Sequence, residues 1–82
     1  MAWTVYILEC GDGSLYTGIT NDVERRIAAH DRGAASRYTR SRRPVRLVYT
    51  EGADDRSAAL KREAEIKGLD RSSKLELIRR PA

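Results

Sequence analysis

Two runs of β-branched and aromatic residues stand either side of a glycine pair, and that arrangement restricts the fold more than anything else in the chain. Trp3-Thr4-Val5-Tyr6-Ile7-Leu8 and Leu15-Tyr16-Thr17-Gly18-Ile19-Thr20 flank Gly11-Asp12-Gly13-Ser14, which supplies the positive-φ positions of a hairpin turn. Tyr6 and Tyr16 thereby become neighbours on one small sheet. The next stretch predicts a helix that opens with Asn21 as N-cap, has Glu24 as its capping-box partner, and closes on Gly33 at C′. At about 100° per residue, Val23 and Ile27 define its buried stripe, with Arg26 and His30 on the flank and Arg25 pointing well away. Arg26 is therefore the arginine expected to be held against the body.

Further along, Val45-Arg46-Leu47-Val48-Tyr49-Thr50 predicts a third strand, bounded by Pro44 and by Glu51-Gly52. Asp54 or Asp55 then caps a long helix through Lys67, ended by Gly68, and Asp70 starts a shorter one through Arg79 before Pro81. The order is strand, strand, helix, strand, helix, helix. With 82 residues and 40% of them hydrophobic, the chain supports a single domain over 1–82 that buries roughly 60 to 65% of its unfolded surface. Trp3, Leu47, Val48, Tyr49, Leu60, Leu75 and Ile78 are its expected core members.

Composition narrows the function classes. The lone Cys10 allows no internal disulfide and no multi-cysteine metal motif, and it suits a reducing cytoplasm as a half-buried side chain at a strand end. The first apolar run stops at Glu9, too short for a signal peptide or membrane span, so a soluble, intracellular protein is expected. A formal charge of +4 favours polyanionic partners. Arg37, Arg40, Arg42, Arg43 and Arg46 crowd together among Ser36, Tyr38, Thr39 and Ser41, and Pro44 keeps that segment from forming a continuous helix. Guanidinium and hydroxyl donors on an extended loop suit phosphate oxygens, and Tyr38 suits stacking on a base. The competing reading is a solvated basic loop that only aids solubility.

The second long helix contains a local conflict. Leu60, Ala64, Ala59 and Ile66 trace an apolar arc, and Glu63 falls inside it with Lys67 beside it. An unpaired carboxylate buried there would be expensive, so Glu63 pairs with Lys67 or Arg56, ligates a cation, or lines a water-filled cleft.

Val5-Tyr6, Tyr16-Thr17-Gly18, Arg26 and His30 match, in order and spacing, the GIY-YIG nuclease superfamily, and the short single-domain form resembles its UPF0213 branch. Ala58-Ala59-Leu60-Lys61-Arg62-Glu63 resembles the helix that carries the family's metal-binding glutamate. Two departures stand out. Thr4 replaces the first glycine of the signature, and the asparagine that many members carry after the glutamate has no counterpart, because Asn21 is the only Asn; Lys67 or Lys74 falls in that region.

The resemblance implies an α+β fold, with helices flanking a three-stranded antiparallel sheet, and a Mg²⁺-dependent endonuclease acting on DNA, with Mn²⁺ as the alternative ion. Tyr6 is implied as first choice of base with Tyr16 assisting, Arg26 as stabiliser of charge on phosphorus, His30 as orienting or relaying group, and Glu63 as metal ligand. Arg37, Tyr38, Arg40, Arg42, Arg43 and Lys67 are expected to contact nucleic acid, and a monomer is the default. Singly, the tyrosines also read as half-buried strand residues, His30 as a helix-end histidine and Arg26 as a snorkelling side chain. The alternative function is a noncatalytic DNA- or RNA-binding module that retains a degenerate nuclease site.

Overall fold

A computed structural model describes residues 2–80. Strands β1 (Trp3–Glu9), β2 (Leu15–Thr20) and β3 (Arg46–Ala53) form one antiparallel sheet in the order β2-β1-β3. In the β1–β2 hairpin Tyr6 stands opposite Gly18 and Leu8 opposite Tyr16. The turn is closed by Cys10 N–H donating to the Ser14 carbonyl and Gly13 N–H to that of Cys10, with Gly13 at φ 84°. Cys10 is more deeply enclosed than half-buried, at 4% exposure, and its thiol is free.

Helices α1 (Val23–Asp31), α3 (Arg56–Lys67) and α4 (Arg71–Arg79) occupy the predicted positions, with Asp55 and Asp70 as the N-caps of the last two. Pro81 lies outside the described residues. The cap of α1 is Asp22 and not Asn21. Its carboxylate accepts from Arg25 N–H at 3.2 Å, while Thr20 Oγ1 both donates to the Asp22 carbonyl and accepts from its N–H, which holds the chain extended one residue longer. Glu24 is then at N2, so no capping box forms. Gly33 does end the helix at φ 75°.

Two other expectations are corrected. The arginine-rich segment contains one helical turn, α2 (Arg37–Arg40), because the Ser36 side chain accepts from Tyr38 N–H and Thr39 N–H and caps it. Strand β3 runs through Glu51 and Gly52 to Ala53, since Thr4 and Trp3 on β1 continue to offer partners and Gly52 takes an ordinary strand conformation.

The core centre is Val5, Ile7, Ala59 and Ile66, with Trp3, Val48, Tyr49 and Ile78 at its margin and Leu75 half-buried. Leu47 and Leu60 are exposed, each at 38%. At Leu47 the cause is a bulge: Ile7 faces Tyr49 and Leu8 faces Leu47, which leaves Val48 unmatched and shifts the alternation of β3. At Leu60 the cause is the rotation of α3. Its sheet-facing line is Ala59, Arg62, Glu63 and Ile66, with Ala64 turned out. Arg62 Nε donates to Glu51 Oε2 at 2.7 Å on β3, and Glu51 Oε1 accepts from Tyr49 Oη at 2.6 Å, so the helix is clamped with its charged arm over the sheet. Glu63 remains on that line, on the flank opposite Arg62.

Candidate active site

Tyr6 projects from the central strand and is 2% exposed. Its ring has room only because position 18 is glycine: a Cβ there would sit 2.5 Å from Tyr6 Oη and 2.6 Å from Cζ. The phenol oxygen is 2.8 Å from Nε2 of His30, the one fully buried residue of α1. His30 is thus in the buried stripe and not on its flank. Nδ1 of the same ring is 2.7 Å from Thr39 Oγ1 on α2, and Thr39 is completely buried. Tyr16 packs edge-on to the imidazole with centroids 5.2 Å apart and lies 6.5 Å from the Tyr6 ring. The structure therefore brings Tyr6, Tyr16 and His30 into one cluster.

Electrostatics tie Arg26 and Glu63 to it. Burial pushes the Tyr6 phenol above the ordinary phenol range, the neighbouring Tyr16 adds to this, the Arg26 charge opposes it and the Glu63 charge reinforces it. His30 is lowered from 6.5, first by burial and then by Arg26, with Asp31 pulling the other way. The phenol is therefore protonated and the imidazole neutral at neutral pH. Arg26 itself is exposed and not held against the body, yet its charge still acts on Tyr6 and His30. It shares an open cleft of about 500 Å³ with Thr20, Asn21, Asp22, Arg25 and Ala29, so Arg25 belongs to the same wall.

The Glu63 side chain is 19% exposed, and Lys67 Nζ approaches Oε2 at 3.6 Å. Among the described residues no group of three or more His, Cys, Asp or Glu could hold a metal. A lone, partly buried carboxylate fits Mg²⁺, an ion that keeps most of its waters and takes one or two protein carboxylates with substrate phosphate oxygens. Lys67 is 54% exposed on its side chain, free to swing off.

The arginines divide by their partners. Arg42 Nε donates to Asp12 Oδ2 at 3.0 Å, Nη1 donates to the Tyr38 carbonyl, and Cζ lies 3.9 Å above the Tyr38 ring, covering one face of the ring expected to stack on a base. Arg43 donates to the carbonyls of Arg40 and Asp31, tying α2 to the end of α1. Arg46 pairs with Glu9 at 2.6 Å. Arg37 and Arg40 are exposed and have no side-chain hydrogen bond or ion pair among the described residues. Tyr38 also packs on Tyr16 at 5.8 Å, which joins the loop to the cluster. In the sequence Thr39 and Ser36 read only as phosphate donors; the signal for more is Ser36 three residues before Thr39, the spacing of a cap and its first turn.

No helix among the described residues is long and apolar enough to cross a membrane. A profile of the GIY-YIG catalytic domain matches residues 2–76. The chain is 55% identical over 74 residues to a UPF0213 protein of Natronomonas pharaonis, covering 90% of this chain and 87% of that one. It is 56% identical over 79 residues to another from Desulfotalea psychrophila, at 95% and 72% coverage. The solution structure of a UPF0213 protein from Bacillus halodurans, 49% identical, superposes with a TM-score of 0.61 over 95% of this chain and 83% of that one. A solution structure from E. faecalis, 38% identical, gives 0.63 over 94% and 83%. With that profile spanning nearly the whole chain over the sheet and helices just described, the protein belongs to the GIY-YIG family, a family of nuclease type.

Proposed function

We propose that this protein is a DNA endonuclease that hydrolyses phosphodiester bonds with Mg²⁺. The observation that carries the reading is the buried 2.8 Å contact between Tyr6 Oη and His30 Nε2. A phenol with a raised pKa is a poor base alone, but one hydrogen-bonded to a neutral imidazole can receive a proton while passing on its own. As the water oxygen bonds to phosphorus, its proton goes to Tyr6 Oη and the Tyr6 proton goes to His30 Nε2. The bond from phosphorus to the 3′ oxygen breaks, and that oxygen takes a proton from solvent. Arg26, exposed beside Tyr6, stabilises charge on the phosphoryl oxygens, and Tyr16 packs the imidazole in place. Glu63 would hold Mg²⁺, which when bound supplies positive charge at the leaving group. Arg37 and Arg40 grip flanking phosphates, and a single buried thiol suits work in the cytoplasm.

The second reading, a noncatalytic nucleic-acid-binding module, is favoured by one observation: Lys67 already places a cation near Glu63. Incubating the protein with supercoiled plasmid and a branched duplex, with Mg²⁺, Mn²⁺ or EDTA, distinguishes the two. Nicking that needs the metal and disappears in Tyr6→Phe is the expected result. Retained binding with no nicking under any condition establishes the module.

A further inference from the structure

Three buried hydroxyl and imidazole protons are shared among Tyr6, His30 and Thr39, and only one arrangement gives each an acceptor. A hydroxyl has a single proton. The Thr39 hydroxyl donates to the Ser36 carbonyl at 3.4 Å, so its 2.7 Å contact with His30 is made by Nδ1–H donating to Oγ1. In a neutral ring with Nδ1 protonated, Nε2 is an acceptor, and the Tyr6 hydroxyl donates to it at 2.8 Å. In the opposite tautomer Nε2–H points at Tyr6 Oη, and the phenol proton of Tyr6, a residue 2% exposed, is stranded with no other hydrogen-bond partner among the described residues.

We propose that Thr39 is a positioning residue: by accepting Nδ1–H it holds His30 in the tautomer whose Nε2 takes the Tyr6 proton. Its place in the fold supports this. Thr39 is wholly buried on α2, whose turn is fixed by Ser36 capping Tyr38 N–H and Thr39 N–H and by Arg43 bonding to the Arg40 and Asp31 carbonyls. The hydroxyl is therefore presented to the ring by a braced turn. The other groups facing the imidazole are Tyr6 from β1, Tyr16 from β2, and Arg26 and Asp31 from its own helix, none of which competes for Nδ1. The role in proton transfer rests on the nuclease reading; the tautomer does not.

His30 is the only histidine, so a single imidazole appears in spectra of ¹⁵N-histidine-labelled protein. At about pH 8 the ring is neutral, and long-range ¹H–¹⁵N spectra report which nitrogen carries the proton. The parent should show protonated Nδ1 and bare Nε2, and Thr39→Ser should keep that pattern. Thr39→Val, which retains the shape but not the acceptor, should give the other tautomer or a mixture. Its kcat for plasmid nicking should fall by about 10²-fold with a shifted pH profile, while KM stays put. Protonated Nε2 in the parent overturns the proposal, as does an unchanged tautomer and pH profile in Thr39→Val. If the tautomer pattern holds while no variant or parent nicks DNA, the positioning role stands and the nuclease reading fails.

Discussion

The Tyr6 ring lies across Gly18 on the neighbouring strand, and the space it fills is the space a side chain at position 18 would need. Tyr6 has nowhere to retreat, being buried between Tyr16 and His30. Gly18→Ala should therefore lower stability by about 1–3 kcal/mol through overpacking and lose nicking as well, because the phenol is driven off Nε2. Urea denaturation and plasmid nicking of the variant check this. Parent-like behaviour in both would show that the ring is not fixed there.

The five clustered arginines should not behave alike. Arg37→Ala with Arg40→Ala should leave the melting temperature nearly unchanged and flatten the salt dependence of DNA binding by up to about 0.9 in log–log slope for each phosphate no longer neutralised. Arg43→Ala removes donors from two backbone carbonyls and should reduce stability by about 1 kcal/mol with little change in slope. Binding titrations at several salt concentrations separate the two groups, and equal slope changes from Arg43 and Arg40 would refute the division.

Burial and Arg26 both keep His30 neutral, and each can be read in a titration. The folded pKa lies below the ordinary 6.5, so the unfolded chain takes up the proton first. Stability from this group is complete above 6.5 and is lost as pH falls from there through the lower folded value. The parent's melting temperature should drop in that window, and His30→Gln should lack the drop. Arg26→Ala should raise the His30 pKa and abolish nicking while changing stability by no more than about 0.5 kcal/mol. Arg25→Ala, on the same cleft wall but outside the cluster, should leave that pKa where it is; a rise as large as that in Arg26→Ala would mean that Arg25 acts on the imidazole as strongly as Arg26 does.

What is legible in the sequence is chemistry that acts over a few residues. The glycine turn, the Asp55 and Asp70 caps and the strand alternation of Trp3 to Leu8 each carry their own local instruction, and the three-stranded sheet with flanking helices follows from them. Expectation and structure part where a distant partner decides. A helical wheel of α3 weighs its apolar residues, but Glu51 on β3 takes Arg62 and turns Leu60 into solvent. The arginine run reads as extended because Pro44 and charge dominate it, while Asp12, Asp31 and Glu9, all outside the run, take up three of its guanidiniums. Thr39 gives no sign in the sequence of being a partner of His30, because the two meet only when α2 folds back beside α1.

The remaining prediction concerns Glu63 and whether its charge serves a cation. Lys67 is mostly in water, so Glu63→Gln strands no buried ammonium, and the i,i+4 pair, at 3.6 Å with only its carboxylate partly buried, is worth no more than about 1 kcal/mol. In EDTA the variant should thus melt close to the parent, with none of the loss of about 3–5 kcal/mol that follows from breaking a buried pair. Mg²⁺ should raise the melting temperature of the parent by mass action, because the ion binds the folded chain and not the unfolded one, and should do nothing for Glu63→Gln. Lys67→Ala supplies the counter-test. Removing the competing ammonium should strengthen the Mg²⁺ effect, since the carboxylate then has no ion-pair partner among the described residues. A melting shift with Mg²⁺ that survives in Glu63→Gln would place the ion elsewhere, and no shift in either parent or Lys67→Ala would leave Glu63 as a surface partner of lysine and nothing more.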